Sequence, residues 1–399
     1  MEPDRASILQ PVLAGMVLAL VGFASSFAVV LAGLQAVGAS SSEAASGLLA
    51  LCVTQAVGIL GLTRRHKIPL VLAWSTPGAA LLVSSGAVAG GWPAAVGAFI
   101  VVGGLILLTA LWPRLGDLIA SIPKPIAQAM LAGVLLSICI EPVRAFGARP
   151  LLIAPILIVW VVLLRLAPRL AVPGAFLAAM VVVAGYLLGH HVGQLSLAPH
   201  LVAITPTFSW HAVVGLAIPL YVVTMASQNV PGVAVLASFG YQVPWREAMT
   251  VTGAGTVLGA FAGGHAINLA AITAAMAASP DADPDRDRRW IAAHTAGWAY
   301  LVLAAVSTAL VSVVAVAPHG VVEAVAGLAL LGTLGAALKG ATTADTGREA
   351  AVVTFAVAAS GVAFGGIGAA FWALLAGLVL HLVLGLRPAP AAGSDVERG

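Results

Sequence analysis

The sequence predicts an all-α membrane protein of fourteen transmembrane segments, laid out as two seven-span repeats of opposite orientation. Three observations carry that prediction. The first is composition: of 399 residues, 61% are hydrophobic and 8% charged, with a mean hydropathy of +1.06. A water-soluble monomer cannot sustain such a surface, whereas a polytopic membrane protein requires it. The second is a series of apolar stretches near 12–37, 44–62, 68–86, 94–112, 125–141, 150–167 and 172–189, then 211–236, 247–262, 263–279, 290–316, 320–338, 350–364 and 366–386. The third is the placement of basic residues. With both termini in the cytoplasm, sixteen of the 18 Lys and Arg fall on the cytoplasmic side and only Arg144 and Arg149 outside. Basic residues gather on the cytoplasmic face, and one missed crossing would invert every later loop. An odd number of spans per half sets the second half upside down relative to the first. A common offset of 202 residues between Ala24-Ser25 and Ala226-Ser227, Gly38 and Gly240, and Gly61 and Gly263 agrees with duplication.

Residues 1–10 form a charged tail, and the first span follows with no evident cleavable leader. That span carries Ser25-Ser26-Phe27 near its middle. Cys52 and Cys139 sit in apolar runs and read as small buried hydrophobes, not as a disulfide. The third segment, LAWSTPGAALLVSS at Leu72–Ser85, is polar in its middle. A hydroxyl residue followed by proline is how a helix begins, because the side-chain oxygen caps free N–H groups and proline needs no N–H there. A helix from Thr76 to Ser85 is roughly 15 Å long, half of a ~30 Å hydrocarbon core, and so starts near the midplane. Non-helical backbone at that depth survives only under protein or a watery cavity, and the positive end of a broken helix suits an anion.

The eighth span contains Thr224-Met225-Ala226-Ser227-Gln228-Asn229-Val230-Pro231-Gly232. Pro231 frees a carbonyl one turn earlier, near Ser227, and Gln228 or Asn229 either donates to a substrate or bonds a neighbouring helix. The tenth segment, FAGGHAINLAAITAAMAAS at Phe261–Ser279, matches the third, with Asn268 as the expected N-cap of a second half-helix. His265 beside it is an intramembrane titratable group, either a ligand and proton carrier or a neutral interhelical bond. Trp74 either stacks on a flat aromatic substrate or packs on a neighbour. His294 and His381 read as packing or polar contacts, and His190, His191 and His200 lack the companions a metal site needs. No Asp or Glu falls mid-span, which disfavours a cation site and favours an anion held by helix N-termini, amides and hydroxyls. The acidic run Asp281–Arg289 reads as a solvated cytoplasmic loop, and the tail 387–399 as disordered.

AWSTPGAAL at 73–81, SQNVPGVAVL at 227–236 and GGHAINLAAITAA at 263–275, in this order, resemble the motifs of the bacterial benzoate–proton symporter family. More distantly, the plan is similar to the uracil, nucleobase–ascorbate and sulfate transporter fold. The resemblance implies a core domain of 11–113 and 211–316, a gate domain of 124–189 and 320–386, and short strands leading into the half-helices of spans 3 and 10. It also implies a bacterial inner-membrane location and a site bordered by Ser25, Ser26, Phe27, Trp74, Ser75, Thr76, Gln228, Asn229, His265, Ile267 and Asn268. Nucleobase members carry carboxylates in spans 8 and 10. Here a neutral amide and His265, or with a one-residue gap Ile267 or Asn268, take those places, which argues for a carboxylate ligand. The expectation is a proton-coupled importer of an aromatic carboxylate such as benzoate, with His265 as the proton-coupling candidate and the ring against Trp74 or Phe27. The partners are that acid, protons and the lipid bilayer, with no cofactor, metal or nucleic acid, and a homodimer is compatible with the arrangement. The competing reading is an exchanger or channel-like carrier of sulfate or another small inorganic anion. An enzyme is disfavoured, since paired intramembrane carboxylates, HExxH and GxSxG are all missing from the sequence.

Overall fold

The computed structural model describes residues 8–188, 198–343 and 347–385. The C-terminal tail, most of the N-terminal tail, and His190 and His191 lie outside the described residues. The chain is mostly helical, and among the described residues eight helices are long and apolar enough to cross a membrane. They are Leu9–Ala36, Ser41–His66, Gly91–Leu111, Lys124–Ala148, Pro168–Leu188, Trp210–Ser238, Arg286–Ala315 and Val321–Thr342, with shorter apolar helices at Pro150–Leu166 and Ala369–Leu384.

The helices follow one another in chain order. In the first half they are α1 (Leu9–Ala36), α2 (Ser41–His66), α3 (Thr76–Ser85) and α4 (Gly91–Leu111). A short α5 (Pro113–Ala120) leads to α6 (Lys124–Cys139), α7 (Glu141–Ala148), α8 (Pro150–Leu166) and α9 (Ala171–Leu188). The next long helix is assembled from α10 (Trp210–Ala212), α11 (Ile218–Thr224) and α12 (Val230–Ser238), joined by π-helical turns at Val213–Ala217 and Met225–Asn229. Each π turn lies just ahead of a proline, Pro219 or Pro231, whose missing N–H a widened turn accommodates. The remainder are α13 (Trp245–Ala260), α14 (Ile272–Ala278), α15 (Trp290–Ala315), α16 (Val321–Thr342), α17 (Arg348–Ser360) and α18 (Ala369–Gly385).

Two breaks place backbone inside the bundle. After α2, Lys67 takes the left-handed conformation at φ 53° and Pro69 follows, so the helix cannot continue. The chain then runs extended through β1 (Leu72–Trp74) before α3 begins. After α13 it reverses at Gly263, φ +89°, where a Cβ would stand 3.0 Å from the Trp92 ring and 3.2 Å from the Glu43 carbonyl. Only glycine fits so close a backbone approach at that φ. It then forms β2 (Ile267–Leu269), antiparallel to β1, with Leu72 opposite Leu269, Ala73 opposite Asn268 and Trp74 opposite Ile267.

Packing falls into two groups. In one, α2 lies along α15, α4 along α13, and α1 against α15 and α3; in the other, α6 lies against α16 and α17, α17 against α18, and α8 against α9. The groups meet where α1 touches α9 and α16, and where α3 touches α6. Small residues make these approaches possible: a Cβ on Gly33 would stand 2.5 Å from the Ala79 carbonyl oxygen.

The acidic run after α14 differs from its expected solvated state. Asp283 is 2% and Arg289 8% exposed. The Arg289 guanidinium donates to the carbonyls of Ala278 and Asp283, both at 2.8 Å, and so closes the C-terminal end of α14. Tyr241 donates its hydroxyl to the Arg286 carbonyl at 2.8 Å, and the Arg286 guanidinium lies over the Tyr241 ring. A folded bracket thus holds the short helix in place.

Candidate functional site

The strand pair determines the site. Ser75 N–H donates to the Ala266 carbonyl at 2.8 Å and Ala270 N–H to the Val71 carbonyl at 2.9 Å, extending the ladder at both ends. The outer edge of β2 would leave backbone donors bare in an apolar interior, at a cost of several kcal/mol each. Side chains from two other helices take them up: Thr256 Oγ1 accepts from Ile267 N–H at 3.1 Å, and Asn229 Oδ1 from Leu269 N–H at 2.8 Å. Ile267 itself is fully buried, its side chain against Gly255.

Ser75 is the N-cap of α3 and accepts from Gly78 N–H at 3.1 Å, while its hydroxyl also meets that of Thr224 at 2.9 Å. Ala79 N–H is taken by the Ser75 carbonyl and Pro77 has none to give. That leaves the N–H and hydroxyl of Thr76, a half-buried residue, without a protein partner among the described residues. Gln228 and Ser25 are half-buried too. Ser25 bonds back to the Gly22 carbonyl at 3.1 Å, and no protein group among the described residues meets the Gln228 amide.

The second half-helix starts later than the sequence suggested. Asn268 is not its N-cap: it lies in β2, because pairing with Ala73 holds it extended, and α14 begins at Ile272 with Ala271 preceding it and no capping side chain. Asn268 is fully buried, donates to the Leu269 carbonyl at 2.7 Å and leaves its Oδ1 unpartnered among the described residues. His265 is likewise fully buried: its Nε2–H donates to the Ser75 carbonyl at 3.0 Å, and its Nδ1 has no partner among the described residues.

Trp74 is enclosed. Its indole N–H donates to Ser26 Oγ at 2.7 Å, and its ring meets Phe23 at 5.6 Å and Tyr300 at 6.3 Å, both edge-on. Ser26 in turn donates to the Gly22 carbonyl at 3.0 Å. Phe23 stacks on Phe27 at 5.3 Å, and Phe27 meets the edge of Phe176, on α9, at 5.6 Å. Five rings therefore run unbroken from α15 through β1 and α1 to α9. Thr224 lay within a stretch already singled out, but Thr256, Phe23, Tyr300 and Phe176 were not legible as site residues. His294 bonds Thr63 at 3.0 Å, the polar-contact role expected of it. No cluster of metal-ligating side chains occurs among the described residues.

A family model described as "Benzoate membrane transport protein" matches residues 6–383. The chain belongs to this benzoate transporter family. Its relatives include the inner membrane protein YdcO of Escherichia coli K12, 38% identical over 376 residues covering 94% of this chain and 95% of that one. A benzoate membrane transport protein of Acinetobacter baylyi is 30% identical over 391 residues, with 95% and 96% covered. Among solved structures, the transmembrane domain of the cyanobacterial bicarbonate transporter BicA superposes with a TM-score of 0.63 at 12% identity, covering 92% of this chain and 97% of that one. SLC26A9 superposes at 0.64 and 16% identity, covering 98% and 68%. At such identities these structures show the fold alone, which this chain shares.

Proposed function

We propose that this protein is a secondary transporter that imports benzoate or a similar aromatic carboxylate together with protons, by alternating access across a bacterial inner membrane. The observation that carries the reading is the pair of donors on Thr76, without a protein partner among the described residues, at the start of a half-helix that follows a strand pair bearing no carboxylate. An anion there meets the positive end of a helix, the Thr76 N–H and hydroxyl, and the Gln228 amide. Its ring extends toward Phe27, while Trp74, Asn229 and Ile267 hold the frame.

His265 supplies the coupling. A lone imidazolium and a lone carboxylate are each costly in a buried site, and together they neutralise one another. The open Nδ1 accepts the proton while Nε2–H keeps its bond to Ser75, so proton and anion favour each other's entry.

The two packing groups serve as core (11–113 and 211–316) and gate (124–189 and 320–386). The exchange of partners α2 with α15 and α4 with α13 supports fourteen spans in inverted repeat, since each pair maps onto the other under that symmetry. The test is uptake of labelled benzoate into proteoliposomes with and without an inward proton gradient, with sulfate as competitor. Gradient-driven uptake that sulfate leaves intact is expected. Indifference to the gradient would refute symport, and displacement by sulfate would favour an inorganic-anion carrier.

A further inference from the structure

A cleft of about 690 Å³ opens on the side that the basic loops mark as cytoplasmic. Its walls are apolar, formed by Leu13 and Val17 of α1, Met276 and Ala275 of α14, and Phe239 beyond α12. Of its described lining residues, Arg169 alone is a cation and Asp281 alone an acid, and the side chains of both are mostly exposed. Arg169 belongs to the turn Pro168–Leu170 between α8 and α9, and Asp281 to the loop that follows α14. The Arg169 guanidinium donates to Asp281 Oδ2 at 3.1 Å, so the pair joins the two packing groups across the mouth.

The Asp281 backbone is held independently of this pair. Its carbonyl accepts from the Gln10 amide at 3.2 Å and its N–H donates to Ser279 Oγ at 3.1 Å. Among the described residues the carboxylate itself is held only by Arg169, with side chains 74% and 67% exposed. An exposed pair of this kind is weak and exchanges partners readily. Guanidinium is the side-chain group that matches a carboxylate fork, and the apolar walls behind it suit a flat ring.

We propose that this cleft is a second, cytoplasm-facing site for aromatic carboxylates, in which the ligand's carboxylate displaces Asp281 from Arg169 while its ring lies against Val17 and Met276. The ligand class rests on the transport reading above; the site itself does not. Asp281 is then an internal competitor, and binding there releases the contact that ties the two groups together.

The test places a thiol in the cleft, Ala275→Cys, in the full-length protein in inside-out vesicles. Cys52 and Cys139 are buried, so a membrane-impermeant maleimide reports on the new thiol. Benzoate is expected to slow the labelling, whereas acetate, lacking a ring, and benzamide, lacking a charge, do not. Adding Arg169→Gln should raise the benzoate concentration for half-protection by about tenfold or more, the loss of one charge-assisted contact, and adding Asp281→Asn should lower it by about threefold. Equal protection in the Arg169→Gln background, or weaker protection in the Asp281→Asn background, would overturn the proposal. Labelled-benzoate uptake by the parent protein is measured separately. Protection that follows Arg169 without uptake supports the cleft and refutes the import reading; uptake without protection does the reverse.

Discussion

Gln228 and Asn229 are neighbours in sequence, yet the structure assigns them opposite consequences. Asn229 is fully buried and its Oδ1 accepts from Leu269 N–H at 2.8 Å. Asn229→Ala leaves that N–H bare inside the bundle, a loss of about 1–3 kcal/mol of stability. Gln228 is half-buried and its amide has no partner among the described residues, so Gln228→Ala should change stability by no more than about 0.5 kcal/mol. If its amide donates to a carboxylate, the lost bond to a charged group is worth about 1.5–3 kcal/mol, or a rise in benzoate KM of roughly 10- to 150-fold. The assay pairs the thermal unfolding midpoint of each purified variant with the KM for uptake into proteoliposomes. Asn229→Ala should melt lower, and Gln228→Ala should melt normally and bind poorly. The reverse pattern, a normally melting Asn229→Ala beside a destabilised Gln228→Ala with ordinary KM, would refute the assignment.

Three further outcomes are expected. His265→Gln can still donate to the Ser75 carbonyl but cannot take a proton, so uptake should persist downhill and lose its response to an imposed pH gradient; retained gradient-driven accumulation would exclude His265 as the carrier. Arg289→Ala strips the buried carbonyls of Ala278 and Asp283 of their donors and should cost about 2–4 kcal/mol in thermal or denaturant unfolding, with Arg289→Lys a poor rescue because ammonium lacks the guanidinium fork. A double-mutant cycle of Phe27→Leu and Phe176→Leu should give a stability coupling of about 0.5–1.5 kcal/mol, the value of an edge-on aromatic pair; additive effects would show that the ring contact between α1 and α9 carries no energy of its own.

How much was legible follows from where each signal resides. Ser75-Thr76-Pro77-Gly78 announces a helix start locally, and α3 does begin at Thr76 with Ser75 as its cap. Asn268 carried the same local signal, but pairing with Ala73, far away in the chain, holds it in a strand. A strand of three residues is too short for any periodicity to reveal. Thr256 also looks like any hydroxyl on a glycine-rich span: Thr252 spends its hydroxyl on its own helix, and only the approach of β2 gives Thr256 the Ile267 N–H. The run Asp281–Arg289 read as solvated because its charge suggested exposure. What buries Arg289 is the set of carbonyls at the end of α14, and sequence does not show where those point.

The position of the bound anion decides between these mechanisms most directly. Crystals grown with 4-bromobenzoate would locate the halogen by anomalous scattering and the carboxylate by density. The expected result is a carboxylate within about 3 Å of the Thr76 N–H, with bromine toward Phe27. A carboxylate bound only away from the start of α3, or bromine buried elsewhere in the bundle, would contradict it.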